Sequence, residues 1–222
     1  MNATTKVLLP LGALAGAVVA REAYRRGLRG PVLTWGATAE EARRRLPGDE
    51  LLEDADIVST RAITIDAPPS AVWPWLVQMG PGRGGAYTYD WIENLLGLDM
   101  HSTDRVHPEW QDLAVGDVIP MRGEGLPGMR VELLEPERAF VTRSEDAAWV
   151  WSFVLDARDG RTRLLSRNRI AVHEPTLADR LGMAVMEPGS LVMERKMLLG
   201  IRQRAEQLAA RATERVADAL PV

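Results

Sequence analysis

The chain of 222 residues contains no cysteine, which removes thiol nucleophiles, disulfides, iron–sulfur clusters and cysteine-type zinc sites in one step. Histidine is nearly as scarce, being confined to His101, His107 and His173. Phe and Tyr number 2 and 3 against 7 Trp, so aromatic surface comes mainly as indole, a large apolar body with a single N–H donor. An excess of basic charge is missing too. The net charge of −4 provides no bulk attraction to nucleic acid, and none is expected as a partner. Neither a cofactor nor a metal is expected. What remains is 46% hydrophobic and 26% charged residues in a chain long enough to bury a core without covalent staples.

The uncharged segment Val7–Ala20 falls short of the ~20 residues that span a bilayer and is followed by Arg21, Arg25, Arg26 and Arg29. Three readings stay open. As a membrane anchor, residues 7–20 would keep the domain on the cytoplasmic side, because the arginines follow the positive-inside rule. As a signal peptide, the segment would be cleaved near Val18-Val19-Ala20, against the resistance of those arginines to export. As a soluble helix, it would dock on a cytoplasmic domain. The anchor is the expectation carried forward.

Three regions are expected: residues 1–29 as the hydrophobic N-terminal segment, 30–56 as a polar linker, and 57–218 as the folded domain. The linker carries a short helix opened by Thr38 and closed by Pro47-Gly48. Ser59–Ile65 alternates as a strand, and Asp66-Ala67-Pro68-Pro69 then places proline at the entry to a helix over 70–79. Gly80–Gly85 is too rich in glycine to hold a helix. Asp90 and Glu93 have capping-box spacing for a second short helix, although two carboxyls in an apolar site would also suit acid–base work. Five strands are expected over 118–121, 129–134, 139–143, 148–155 and 162–172, followed by a long helix from Thr176. On that helix Met193, Met197, Ile201, Ala205, Leu208 and Ala212 form an apolar stripe, with Glu194, Arg202, Gln203 and Glu206 on the other side. Strand, two helices, meander and long helix make an α+β pattern.

The stretch Ala62-Ile63-Thr64-Ile65-Asp66-Ala67-Pro68-Pro69-Ser70-Ala71-Val72-Trp73 resembles the opening of the START-like (SRPBCC) ligand-binding superfamily, which includes polyketide cyclases and lipid-transfer proteins. Gly82-Arg83-Gly84-Gly85, Tyr89–Asn94 and Pro108-Glu109-Trp110 look like a bacterial subgroup without assigned activity. The resemblance implies a helix-grip fold, a curved antiparallel sheet wrapped around the C-terminal helix, with a hydrophobic cavity between them. It supplies no catalytic motif.

Candidate ligand-binding residues follow from the pattern. Arg83 in the glycine loop is placed to meet an anionic head group, while the loop lacks the strand-to-helix setting of a phosphate cradle. Tyr87, Tyr89 and Trp91 recur every second residue, so an extended segment would point all three one way, to a pocket mouth or into the core. Trp149, Trp151 and Phe153 share one face of a strand. On the next strand Arg161, Arg163, Arg167 and Arg169 face solvent, which turns Ser166 and Asn168 inward as orienting partners for a ligand or for neighbouring side chains. Met193, Met197 and Ile201 supply the opposite wall. His101, His107 and Glu109 lie in a loop with no helix to set ligand geometry. The function expected is binding or carriage of a hydrophobic small molecule or lipid. The alternatives are an enzyme of cyclase, dehydratase or hydrolase type on an apolar substrate, and an interaction module with a vestigial pocket.

Overall fold

The computed structural model describes residues 22–95, 97–121, 127–172 and 177–219. Six strands form one antiparallel sheet: β1 (Ile57–Ile65), β2 (Val118–Ile119), β3 (Met129–Glu135), β4 (Ala139–Ser144), β5 (Trp149–Arg158) and β6 (Arg161–Ile170), in the spatial order β1-β6-β5-β4-β3-β2. The helices are α1 (Arg29–Leu33, entered through a π-helical turn at Tyr24–Leu28), α2 (Ala39–Arg43), α3 (Pro69–Val77), α4 (Asp90–Leu95) and α5 (Leu177–Ala219). The sheet is curved and open, and α5 lies along its inner side, the helix-grip arrangement of an α+β domain. Segment Val7–Ala20 falls outside the described residues. Among the described residues no helix is long and apolar enough to cross a membrane.

Local chemistry accounts for the turns. β5 and β6 join through Asp159 and Gly160 at φ 49° and 76°, the paired left-handed geometry that lets a two-residue hairpin follow the twist of its strands. A register shift between Val131 and Leu133 bends β3 against β4. β1 opens the meander yet pairs with β6, its last strand, placing Arg61 opposite Ser166 and Ser59 opposite Asn168. The alternation of each strand then sorts side chains cleanly to the inner or outer face. The inner face, α3 and α5 enclose the main apolar core, which includes Ile65, Val72, Trp75, Leu164, Met197 and Ile201.

The outer face departs from expectation. The arginines of β6 are not solvated, because residues 36–53, read from sequence as a linker, fold back over them. Arg167 is only 3% exposed. It donates to Asp49 at 2.6 Å, to Thr60 at 2.9 Å, and to the Glu41, Ala42 and Arg44 carbonyls that close α2, where a helix end favours a cation. Arg163 holds Glu41 through two bonds of 2.8 Å, and Arg169 holds the Leu52 and Glu53 carbonyls. Leu46 and Ala37 pack on Ala62, Val154 and Leu165 beneath this layer. The stripe on α5 is also rotated from the expected one: Glu194, Met197, Leu198, Ile201 and Ala205 are buried, while Met193 is only half-buried.

Two predictions follow. A Cβ added at Gly200 on α5 would stand 2.6 Å from the Tyr87 carbonyl oxygen and 2.9 Å from the Tyr87 Cβ. Its lack of a side chain is what lets the loop seat against α5. Gly200→Ala should therefore cost ~1–3 kcal/mol in urea unfolding. The second concerns Glu41, whose carboxyl is held down to about 2 by its bonds to Arg163. A depressed carboxyl stabilises the fold above its ordinary value of 4.5 and loses that contribution as pH falls toward 2. Glu41→Gln should flatten the decline in melting temperature across that window, and an unchanged slope would contradict the assignment.

Candidate functional site

Charged residues on the inner face of a sheet must be paired, because an isolated buried ion costs several kcal/mol. Arg61 on β1 shares that face with Ile63 and Ile65 and is 0% exposed. Its guanidinium donates to Glu194 on α5, to Ser190 Oγ at 2.9 Å and to the Val32 carbonyl at the end of α1. Glu194 Oε2 also accepts from Asn168 Nδ2 at 3.2 Å, while Oε1 is buried without a hydrogen-bond partner among the described residues. Burial pushes the Glu194 carboxyl up, and the Arg61 guanidinium works against that.

The layer continues into the aromatics of β5. Trp149 Nε1 donates to Asn168 Oδ1 at 2.8 Å and Trp151 Nε1 to Ser166 Oγ at 2.9 Å. Both inward-facing indoles keep some accessible surface, whereas Phe153, Met197 and Ile201 are closed. Beyond Ser190, Glu187 accepts three bonds from Arg29 and one from Tyr24 Oη at 3.1 Å, docking the N-terminal helix against α5. The inner face is thus aliphatic and closed at one end, and polar with two partly accessible indoles at the other.

The remaining sequence candidates lie elsewhere. Arg83 is spent on the Val77 and Trp110 carbonyls at 3.0 and 2.8 Å, tying down the glycine loop. Tyr87, Tyr89 and Trp91 do not share a face. Tyr87 is buried with its hydroxyl on the Trp75 carbonyl at 2.9 Å, Tyr89 lies under Lys196, and Trp91 on α4 is 69% exposed. The chain turns at Tyr87, whose φ is 58°, and this breaks the extended path that the spacing requires. The capping box also fails to form. Asp90 bonds the Ser102 amide and hydroxyl at 2.8 and 2.6 Å, while the Tyr89 carbonyl starts α4. Glu93 is buried, which pushes its carboxyl up. Among the described residues no group of His, Asp and Glu has the makings of a metal site. A polar cleft of about 500 Å³ lies on the outer face, lined by Glu41, Arg158, Arg161 and Arg163 among others.

Sequence reasoning missed Arg61 and Glu194. Both carried a signal. Arg61 keeps strand parity with Ile63 and Ile65, and Glu194 stands three and four residues before Met197 and Leu198, inside the stripe.

No protein-family model matches the chain, and no curated protein matches it. Solved structures do. The Aha1 dimer of Colwellia psychrerythraea is 18% identical, over 68% of this chain and 96% of that one, with a TM-score of 0.41. A Bacillus halodurans protein, BH1534, is 13% identical over 68% and 99%, with a TM-score of 0.42. The polyketide_cyc-like protein Cgl2372 of Corynebacterium glutamicum is 13% identical over 73% and 94%, with a TM-score of 0.36. The curved antiparallel sheet gripping a long C-terminal helix is the arrangement that the resemblance of the opening stretch implied.

Breaking the buried pair tests its role. Arg61→Met alone should cost ~3–5 kcal/mol, because it strands the Glu194 carboxylate. Combining it with Glu194→Leu should recover most of that loss in the same denaturation assay. A double variant no better than the single one would show that the pair is not the unit.

Proposed function

We propose that the chain binds or carries a hydrophobic small molecule between the Trp149/Trp151 face of β5 and helix α5. One observation carries the reading: the indoles of Trp149 and Trp151, neighbours on the inward face of the sheet, both remain partly accessible beside fixed polar groups. Accessible apolar surface on a concave wall, beside a few fixed polar groups, is the usual composition of a small-molecule site. Lipids fall within this class. The reading extends to residues 7–20 as a tether to the cytoplasmic face of a membrane, supported by the uncharged run and the arginines after it.

An enzyme would draw on the same polar layer. The donors of that layer, however, are committed to one another: the Arg61 guanidinium to Glu194, Ser190 and Val32, the Asn168 amide to Glu194, and both indoles to Asn168 and Ser166. Groups so engaged position a wall and leave little to act on a substrate, which favours binding over chemistry.

The test is a thermal-shift and tryptophan-emission screen with fatty acids, isoprenoids and polycyclic aromatics. A ligand present at a hundredfold its Kd should stabilise the fold by ~2.7 kcal/mol. It should also shift the emission of Trp149 and Trp151, and Trp151→Leu should weaken binding about tenfold. Silence across the whole screen, with the protein folded, would favour the interaction module instead.

A further inference from the structure

On the other side of the sheet from the Trp149/Trp151 face, we infer that the outer cleft binds the phosphate monoester of a small hydroxylated molecule, with Arg158 and Arg161 receiving the phosphate. Three features of the cleft carry this.

The first is a charge arrangement that the fold leaves unbalanced. Arg158 and Arg161 are the last facing pair of β5 and β6, directly opposite each other across the turn at Asp159 and Gly160. Like charges in facing positions of a ladder repel and destabilise it. The carboxylates nearby relieve this only in part. Arg158 reaches Asp156 at 3.9 Å, yet the same oxygen is held by Arg44 at 2.5 Å. Arg161 meets Asp66 through Nε at 3.0 Å, and both side chains are exposed, where such a pair contributes little. An anion between the two guanidinium groups would convert their repulsion into attraction, and a phosphate has oxygens enough to face both forks at once.

The second is a fixed floor. Arg163, one facing pair further from the turn, donates to Glu41 through two bonds of 2.8 Å, to the Gly36 carbonyl at 2.6 Å and to Thr64 Oγ1 at 3.2 Å. Its charge is spent on Glu41, so the base of the cleft is neutral and is ordered on folding, not on binding. Thr64 Oγ1 accepts in that network, and Thr38 Oγ1 accepts from the Glu41 amide. A hydroxyl that accepts can still donate, so both threonines bring an O–H to the lining of the cleft.

The third is composition. The cleft encloses about 500 Å³, room for a small molecule, and its lining contains no large apolar side chain. A hydrophobic ligand finds nothing to cover there. Two guanidinium groups and two hydroxyls supply donors, which suits an acceptor-rich ligand. Of the two carboxylates in the lining, Glu41 is held by Arg163, while Asp159 stands on the exposed turn. Asp159 would repel a bare anion but accept a hydroxyl group from the body of an ester. A phosphate joined to a polyol satisfies the donors and the acceptor together.

The experiment uses the full chain and isothermal calorimetry with glucose 6-phosphate, inorganic phosphate and glucose. Glucose 6-phosphate should bind about tenfold more tightly than either of the others. Joint replacement Arg158→Gln and Arg161→Gln should weaken it by about tenfold, and should not lower the melting temperature of the ligand-free protein, since it removes a repulsion. Arg26→Gln, on the exposed face of the N-terminal helix, should leave binding unchanged and so separates the cleft from general surface charge. Sedimentation with phosphatidylcholine vesicles, with and without phosphatidylinositol 4-phosphate, distinguishes the source: capture that needs the phosphorylated lipid and both arginines assigns the ester to a headgroup, and its absence assigns it to a soluble metabolite. Inorganic phosphate or glucose binding as tightly as glucose 6-phosphate would overturn the inference. So would an affinity for glucose 6-phosphate that survives loss of both arginines in a folded protein, or no binding of any phosphate ester, free or lipid-borne.

Discussion

A guanidinium that water cannot reach must find its counter-charge inside the protein, and in this chain that requirement joins the parts of the domain that matter most. Arg61 stands on the inner face of an edge strand, and Glu194 stands on the helix the sheet grips. Neither can be buried without the other, so the pair fixes how α5 lies along the sheet with a specificity that methyl groups alone would not impose. The same guanidinium takes the Val32 carbonyl of α1, and the same carboxylate takes Asn168, so the ion pair also reaches the N-terminal helix and, through Asn168, the Trp149 ring.

The outer face repeats this logic with different geometry. Arg163, Arg167 and Arg169 project from alternate positions of β6 and hold α2 and the turn after it by their carboxylates and carbonyls. The sheet is therefore covered on both sides, by α3 and α5 within and by residues 36–53 without. Planar donors suit the outer layer because a short helix and a tight turn offer several carbonyls in a small space, which one arginine can meet at once.

Much of the architecture could be read from the chain. The alternation in β1, β5 and β6, the proline entry to α3 and the long amphipathic helix each predict their element to within a few residues. The inward parity of Trp149, Trp151, Ser166 and Asn168 was readable for the same reason, since a strand allows only two faces. Where polarity alone was the guide, it misled. Glu194 was sorted by charge, though its spacing assigned it to the interior, and the β6 arginines were set in solvent because nothing local announces that a polar stretch will fold over them. Tyr87, Tyr89 and Trp91 failed differently: their shared face required extended backbone, and a left-handed residue at Tyr87 redirects the chain. Arg83 and Asp90 bind partners 27 and 12 residues away, and such pairings leave no trace in a local window.

The placement of β1 has a consequence for how such a chain comes into being. A ribosome delivers this strand early, yet its neighbour in the sheet is the last strand made, and Arg61 lies 133 residues before the carboxylate that neutralises it. Through most of synthesis the nascent chain carries an apolar strand and an unpaired charge with nothing to bury them against. Folding must wait for the end of translation, slow and dependent on long-range closure, and in that interval the exposed edge invites aggregation. A cell that makes this protein in quantity has to shelter its beginning until its end arrives.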